Sequence, residues 1–282
     1  MREITIAASH RGGSGEPLVL VHGYTGSWRN WVPVLPALEA CHDVLAVGLA
    51  GHHCAAPLRE GAEPSVHELA DAIERDMDAA GFETAHVAGN SLGGYLALEL
   101  GARGRARSVV ALSPSGGYEP GSAAERKIFA WFVRQHRIGR KAMPHLERVM
   151  ARPGLRRLAL RDVMRHGERV PPAEAVAMSV GALECAIREP FMEWALREAA
   201  NVELGSIACP VLIAWAERDR ILPMKTCSAR LREAAPGAEW RVLPGVGHVP
   251  MYDDPDLIAR TIVDFAAAAE ARRAAPAAQV SA

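Results

Sequence analysis

Residues 89–93 read Gly-Asn-Ser-Leu-Gly, and they lie between a strand-like run, His86-Val-Ala-Gly89, and a helix-like one, Leu92 to Leu100. No other feature constrains the fold as strongly. A serine on a sharp strand-to-helix turn projects its hydroxyl outward, and glycines on both sides let neighbouring backbone pass closely. The same turn places the serine at a helix N-terminus, where free N–H groups favour the negative charge of an oxyanion. The bare pattern recurs by chance. Its position between a strand and a helix makes it informative.

The surrounding chain repeats that alternation. Pro17-Leu-Val-Leu-Val21, Asp43-Val-Leu-Ala-Val47, Ser108-Val-Val-Ala-Leu112, Pro210-Val-Leu-Ile-Ala-Trp215 and Glu239-Trp-Arg-Val-Leu243 are short apolar runs that read as buried strands. Between them, Trp31, Val34, Leu35 and Leu38 fall at helical spacing within Trp28–Ala40. Ser65 with Glu68 forms a capping-box pattern opening a helix that runs to Gly81. Helices are expected over Lys225–Ala235 and Pro255–Ala267, and Gly12-Gly-Ser-Gly15 reads as a turn. The end of the chain, Ala-Pro-Ala-Ala-Gln-Val-Ser-Ala, reads as a frayed helix end. Strands alternating with helices predict an α/β fold with a mostly parallel central sheet flanked by helices. The stretch from Tyr118 to Ala200 has no strand pattern. Five amphipathic segments, around Ile128–Val133, Leu146–Met150, Leu155–Met164, Pro171-Pro172 and Phe191–Ala199, predict an inserted all-helical cap. The expected organisation is a core of residues 1–117 and 205–282, with a lid over 118–204.

An activated serine needs a base, and the base needs an orienting acid. Asp219 follows the Pro210–Trp215 run, and His248 follows Glu239–Leu243 within Gly245-Val-Gly-His. Glu217 is a rival acid, but the spacing to Pro223 favours Asp219. The run ending at Leu112 is followed by Ser113-Pro-Ser-Gly-Gly117, which offers no carboxylate. The Tyr24 and Leu92 N–H groups are the expected oxyanion hole, with the Tyr24 side chain lining the pocket. His22 is expected to hydrogen-bond beneath the oxyanion loop rather than act as a base.

Leu18-Val-Leu-Val-His-Gly23, the Gly89–Gly94 elbow, the acid loop ending in Pro223, Gly247-His248 and the order Ser91, Asp219, His248 together resemble the α/β-hydrolase fold superfamily. The resemblance covers residues 15–117 and 205–268. It implies a serine hydrolase of the carboxylesterase or lipase type, acting through an acyl-enzyme without metal or organic cofactor. C–C bond hydrolysis of ring-cleavage diketones, cofactor-free perhydrolysis and a ligand-binding receptor on the same fold are the alternatives it leaves open. Epoxide hydrolases and haloalkane dehalogenases of the superfamily use an aspartate nucleophile, so a serine disfavours them. One departure stands out. Where relatives often read Asp-x-Pro-Gly-His-Gly-x-Ser, this chain has Gly48-Leu-Ala-Gly-His-His-Cys54.

Other readings are weaker. His52-His53-Cys54 lacks a fourth zinc ligand at suitable spacing. His67-Glu68 fails as a metalloprotease motif because position 71 is Asp, and Gly245-Val-Gly247 fails as a dinucleotide fingerprint at Pro250. Trp131, Phe132, Met164, Phe191 and Trp194, with Met178, are candidates for the pocket wall or for the cap's own core, and the sequence leaves the division open. A net charge of −1 argues against a partner such as nucleic acid. No apolar run approaches the roughly 20 residues needed to span a bilayer. Met1-Arg-Glu-Ile-Thr-Ile-Ala-Ala has no signal-peptide pattern, and five scattered cysteines suit thiols in a reducing cytoplasm. Only three of the 32 basic residues are lysines, which fits a GC-rich bacterial genome. The partner expected is a small-molecule substrate, and the basic stretch of the cap reads first as a solvated helical surface and second as a cationic face for an anionic substrate tail, a carrier-bound acyl group or an acidic partner. Residues 118–169 hold 13 Lys+Arg against 5 Asp+Glu.

Overall fold

The computed structural model describes residues 8–198 and 204–274. The expectations for the first residues and for the tail after Ala274 lie outside them. Seven strands form one sheet: β1 (His10–Gly13), β2 (Glu16–Val21), β3 (His42–Val47), β4 (Ala85–Asn90), β5 (Ala106–Leu112), β6 (Val211–Ala216) and β7 (Glu239–Leu243). Their spatial order is β1-β3-β2-β4-β5-β6-β7. Only the β1–β3 pairing is antiparallel.

The apolar runs read as strands because both faces of the sheet are covered. Leu18 and Leu20 of β2 join one core cluster, while Val19 and Val21 join the other. The flanking helices are α1 (Leu35–Glu39), α2 (Val66–Ala79), α3 (Leu92–Ala102), α9 (Met224–Cys227), α10 (Ala229–Ala234) and α11 (Pro255–Ala274). Between β5 and β6 run α4 (Ala123–Ala142), α5 (Leu146–Ala151), α6 (Pro153–Leu160), α7 (Pro172–Leu183) and α8 (Arg188–Glu198). Ser65 accepts the Glu68 N–H at 3.1 Å and so caps α2 as its pattern predicts. Helix α3 is buried from Leu92 to Gly101, which accounts for its near-continuous apolar sequence. The segment between β5 and β6 buries side chains in both clusters of the sheet: Ile128, Phe191 and Trp194 on one face, Leu146, Met150 and the loop residue Met164 on the other.

Four expectations need correction. Gly12 and Gly13 are not turn residues: they form the end of β1, where a Cβ on Gly13 would lie 2.2 Å from the His42 carbonyl oxygen. The helix expected over Trp28–Ala40 is a 3-10 turn (Trp28–Trp31) followed by α1. Pro33 lies between them and lacks the N–H that a continuous helix would use there. Lys225–Ala235 divides at Ser228 into two short helices. The last helix continues beyond Ala267 to Ala274.

Candidate active site

The sheet order reverses between β2 and β4, which lie side by side with Val21 opposite Gly89. Crevices at the carboxyl ends of strands form at such a reversal. Here it brings the Gly23–Gly26 turn after β2 against the serine turn after β4. Ser91 has φ 59° and ψ −119°, a conformation that costs on the order of 1–3 kcal/mol for a residue with a side chain. Three backbone bonds hold it there: Ser91 N–H to Leu112 O (2.9 Å), Tyr95 N–H to Ser91 O (3.1 Å) and Ser115 N–H to Ser91 O (3.0 Å). The glycines have steric reasons. A Cβ on Gly89 would fall 1.9 Å from Gly93 O, and one on Gly93 would fall 2.1 Å from Val21 O.

Asp219 and His248 meet across the ends of β6 and β7. His248 Nδ1 lies 2.7 Å from Asp219 Oδ2, and both side chains are buried. The other carboxylate oxygen accepts the Ile221 and Leu222 N–H groups at 2.9 and 2.7 Å. These two bonds fix the carboxylate's orientation toward the ring. Glu217 instead turns outward, accepting the Gly245 N–H at 2.8 Å and pairing with Arg218. Leu92 is the first residue of α3, so its N–H has no acceptor within the helix. Tyr24 occupies the turn closed by Gly26 N–H to Gly23 O. Its hydroxyl donates to the Arg188 carbonyl at the start of α8, and its ring packs on Phe132 and Phe191.

His22 is fully buried. Its Nε2 accepts the Leu49 N–H at 3.0 Å, so Nδ1 carries the proton and donates to Gly23 O at 2.8 Å. Burial and the neighbouring His52 lower its pKa to about 3, and burial lowers His52 to about 4. Both imidazoles are neutral at pH 7, which fits His22 as a structural support for the turn. In the unfolded chain they take protons as pH falls through 6.5, whereas in the folded state they do so only near 3–4. The unfolded state therefore binds more protons in that window, and stability falls as pH falls. The urea midpoint is expected to decline from about pH 6.5 toward pH 4, and His52→Gln should flatten the slope. An equal slope in that variant would refute the assignment.

A cavity of about 570 Å³ is walled by Ser91, His248, Gly23 and Tyr24 on the sheet side. Its size suits a small ligand. Trp131, Phe132 and Met178 line it from the inserted helices. Met164, Phe191 and Trp194 do not. They are 1%, 7% and 4% exposed and lie in the hydrophobic core, Phe191 packing behind Tyr24. Helical periodicity marks all of them as inward-facing without telling the cavity from the core. The zinc-like His52-His53-Cys54 stretch disperses: His52 is buried against Tyr24, and His53 pairs with Glu184. Among the described residues no three His, Cys, Asp or Glu side chains converge as a metal site.

Two further residues organise the site. Asn90 is fully buried, and its Nδ2 donates to Leu112 O (3.1 Å) and His248 O (2.9 Å), tying the serine turn to the histidine loop. Asp253, 1% exposed, accepts N–H groups from Gly247 (2.8 Å), Arg165 (2.8 Å) and His166 (2.6 Å). It joins the histidine loop to the inserted helices. A polar residue at the end of an apolar strand was the available signal for Asn90. Asp253 partners only backbone amides, which leave no sequence trace.

The chain belongs to the alpha/beta hydrolase family, whose sequence profile matches residues 18–261. It is 35% identical over 200 residues to epoxide hydrolase EphH of Mycobacterium tuberculosis, covering 70% of this chain and 92% of that protein. It is 25% identical to lipase 1 of Psychrobacter immobilis over 92% of this chain and 80% of the lipase. A meta-cleavage product hydrolase from Pseudomonas fluorescens superposes with a TM-score of 0.67 at 22% identity, covering 93% and 94% of the two chains. The protein is a hydrolase of the α/β fold. No helix among the described residues is long and apolar enough to cross a membrane.

Proposed function

We propose that this chain is a serine hydrolase that cleaves an ester-like bond of a small or medium acyl substrate through an acyl-enzyme. The observation that carries the reading is the 2.7 Å His248–Asp219 contact beside a cavity walled by both His248 and Ser91. His248 removes the Ser91 proton as the hydroxyl attacks the carbonyl. Asp219 keeps Nδ1 protonated and stabilises the imidazolium without taking its proton. The Tyr24 and Leu92 amides receive the tetrahedral oxyanion, a term worth about 2.7–4 kcal/mol per donor. His248 then activates water, which releases the acid and regenerates Ser91. No metal or organic cofactor enters these steps. In this reading residues 1–117 and 205–282 form the catalytic core and 118–204 its lid.

The similarity to an epoxide hydrolase raises a second chemistry, and the nucleophile argues against it. Serine attack on an epoxide would leave an alkyl ether, which has no carbonyl for water to attack. The lipase relative favours the ester reading. A fluorophosphonate probe is expected to modify Ser91 alone, as peptide mass spectrometry would show, and to abolish p-nitrophenyl ester hydrolysis in step. Modification elsewhere, or epoxide turnover that persists after labelling, would overturn the proposal. Including a vinylogous diketone and peroxide-dependent peracid formation in the same panel separates ester cleavage from C–C hydrolysis and perhydrolysis.

A further inference from the structure

Three guanidinium groups converge on one carboxylate where the inserted helices meet the acid loop. Arg134 Nη2, Arg161 Nε and Arg220 Nη1 lie 3.9, 3.8 and 3.9 Å from the oxygens of Asp162. Strong guanidinium–carboxylate bonds are about 2.7–2.9 Å long, so none of the three is committed to Asp162. The Asp162 Oδ2 atom already accepts the Trp131 indole N–H at 3.1 Å. The arginine side chains are 62%, 58% and 54% exposed. Three cations around one anion leave a local excess of two positive charges.

Two of the three arginines, with Asp162, belong to the wall of the cavity that holds Ser91, and Arg220 stands outside that wall against Asp162. Arg134, Arg161 and Asp162 line that cavity, as do Ile138 and Leu158, which are 51% and 56% exposed. The rest of the wall is mixed, with the apolar Trp131, Phe132 and Met150 beside the polar Gln135, His136 and Arg188. A ligand matched to such a wall has an uncharged reacting end at Ser91, an apolar body and a negative charge at the far end. The basic excess of residues 118–169 adds longer-range attraction for anions.

We infer that Arg134, Arg161 and Arg220 form a collar that receives the anionic end of an amphiphilic ester whose scissile carbonyl lies at Ser91. The inference rests on the serine-hydrolase reading for the reaction, and on the cavity alone for binding. Arg220 also donates to the Arg161 carbonyl at 3.4 Å, and a carboxylate placed among three guanidinium groups that share one carboxylate gains charge-assisted hydrogen bonds that a neutral terminus lacks.

The test compares p-nitrophenyl monoesters of α,ω-diacids of increasing length with fatty-acid esters of equal length. The wild-type protein is expected to favour the charged ester in kcat/KM by about tenfold at the best length, with the preference shrinking as salt rises. The triple variant Arg134→Gln, Arg161→Gln, Arg220→Gln should lose that preference, its charged-to-neutral ratio of kcat/KM falling to about one. Arg148→Ala, which removes an exposed cation of the same insertion away from the cavity wall, should keep it. An unchanged charged-to-neutral ratio in the triple variant, or equal loss in Arg148→Ala, would overturn the collar. Calorimetric titration with octanoate and the uncharged octanamide supplies a readout independent of turnover. If no ester is hydrolysed yet wild type favours octanoate and the triple variant does not, the reaction assignment fails and the collar stands. Equal binding of the two compounds by wild type overturns the collar whatever the turnover.

Discussion

Ser91→Ala is expected to lower kcat toward a p-nitrophenyl ester by at least about 10³-fold, with the folding midpoint near that of wild type. The two halves of the result have different causes. In the proposed mechanism, loss of Oγ removes the atom that forms the acyl intermediate, and residual rate comes from binding and the oxyanion donors. Folding is spared because the substitution keeps Cβ and the backbone, and the three bonds that hold φ at 59° all use main-chain atoms. Stopped-flow turnover with parallel urea titration measures both. Retained turnover would remove Ser91 from the mechanism; a collapsed midpoint would assign it a structural role instead.

Asp219→Asn should cost about 10⁴-fold in kcat, whereas Glu217→Gln should leave turnover near wild type. Asparagine can still accept the Ile221 and Leu222 N–H groups through its carbonyl oxygen. That arrangement turns its NH₂ toward His248 Nδ1, which must then accept rather than donate. Nε2 carries the proton in that tautomer and cannot take another from Ser91. The expected signature is therefore a fall in kcat at neutral pH with little change in stability. Glu217 contributes only a bond to the Gly245 amide and an exposed ion pair, both of which glutamine partly replaces. The opposite pattern in the two variants would move the acid to Glu217.

The parts of this architecture that show in the sequence are those whose partners are side chains or regular repeats. Parallel strands covered on both faces become apolar runs such as Leu18–Val21, and the order Ser91, Asp219, His248 follows from loops at successive strand ends. β1 left no such mark, because an edge strand ending in Gly12-Gly13 is specified by close backbone approach to His42 rather than by apolar pattern. The break between Trp31 and Leu35 was written in Pro33, although the apolar spacing across it reads as one helix. The pocket was the least accessible. Trp131 and Trp194 are equivalent as helical apolar residues, yet one bounds the cavity and the other is sealed behind it. Which it is depends on how α4 and α8 lie over the sheet, and that is set by long-range packing.

Asp253 has a mechanical consequence for the insertion above the site. Its carboxylate clasps the Gly247, Arg165 and His166 amides together, and Val249 N–H adds a fourth link to Val163 O. Lifting residues 163–166 away from the sheet would leave the Arg165, His166 and Val249 amides without these acceptors. The insertion is thus riveted on its histidine side. A displacement confined to the other helices of the insertion would leave these bonds and the His248–Asp219 contact in place.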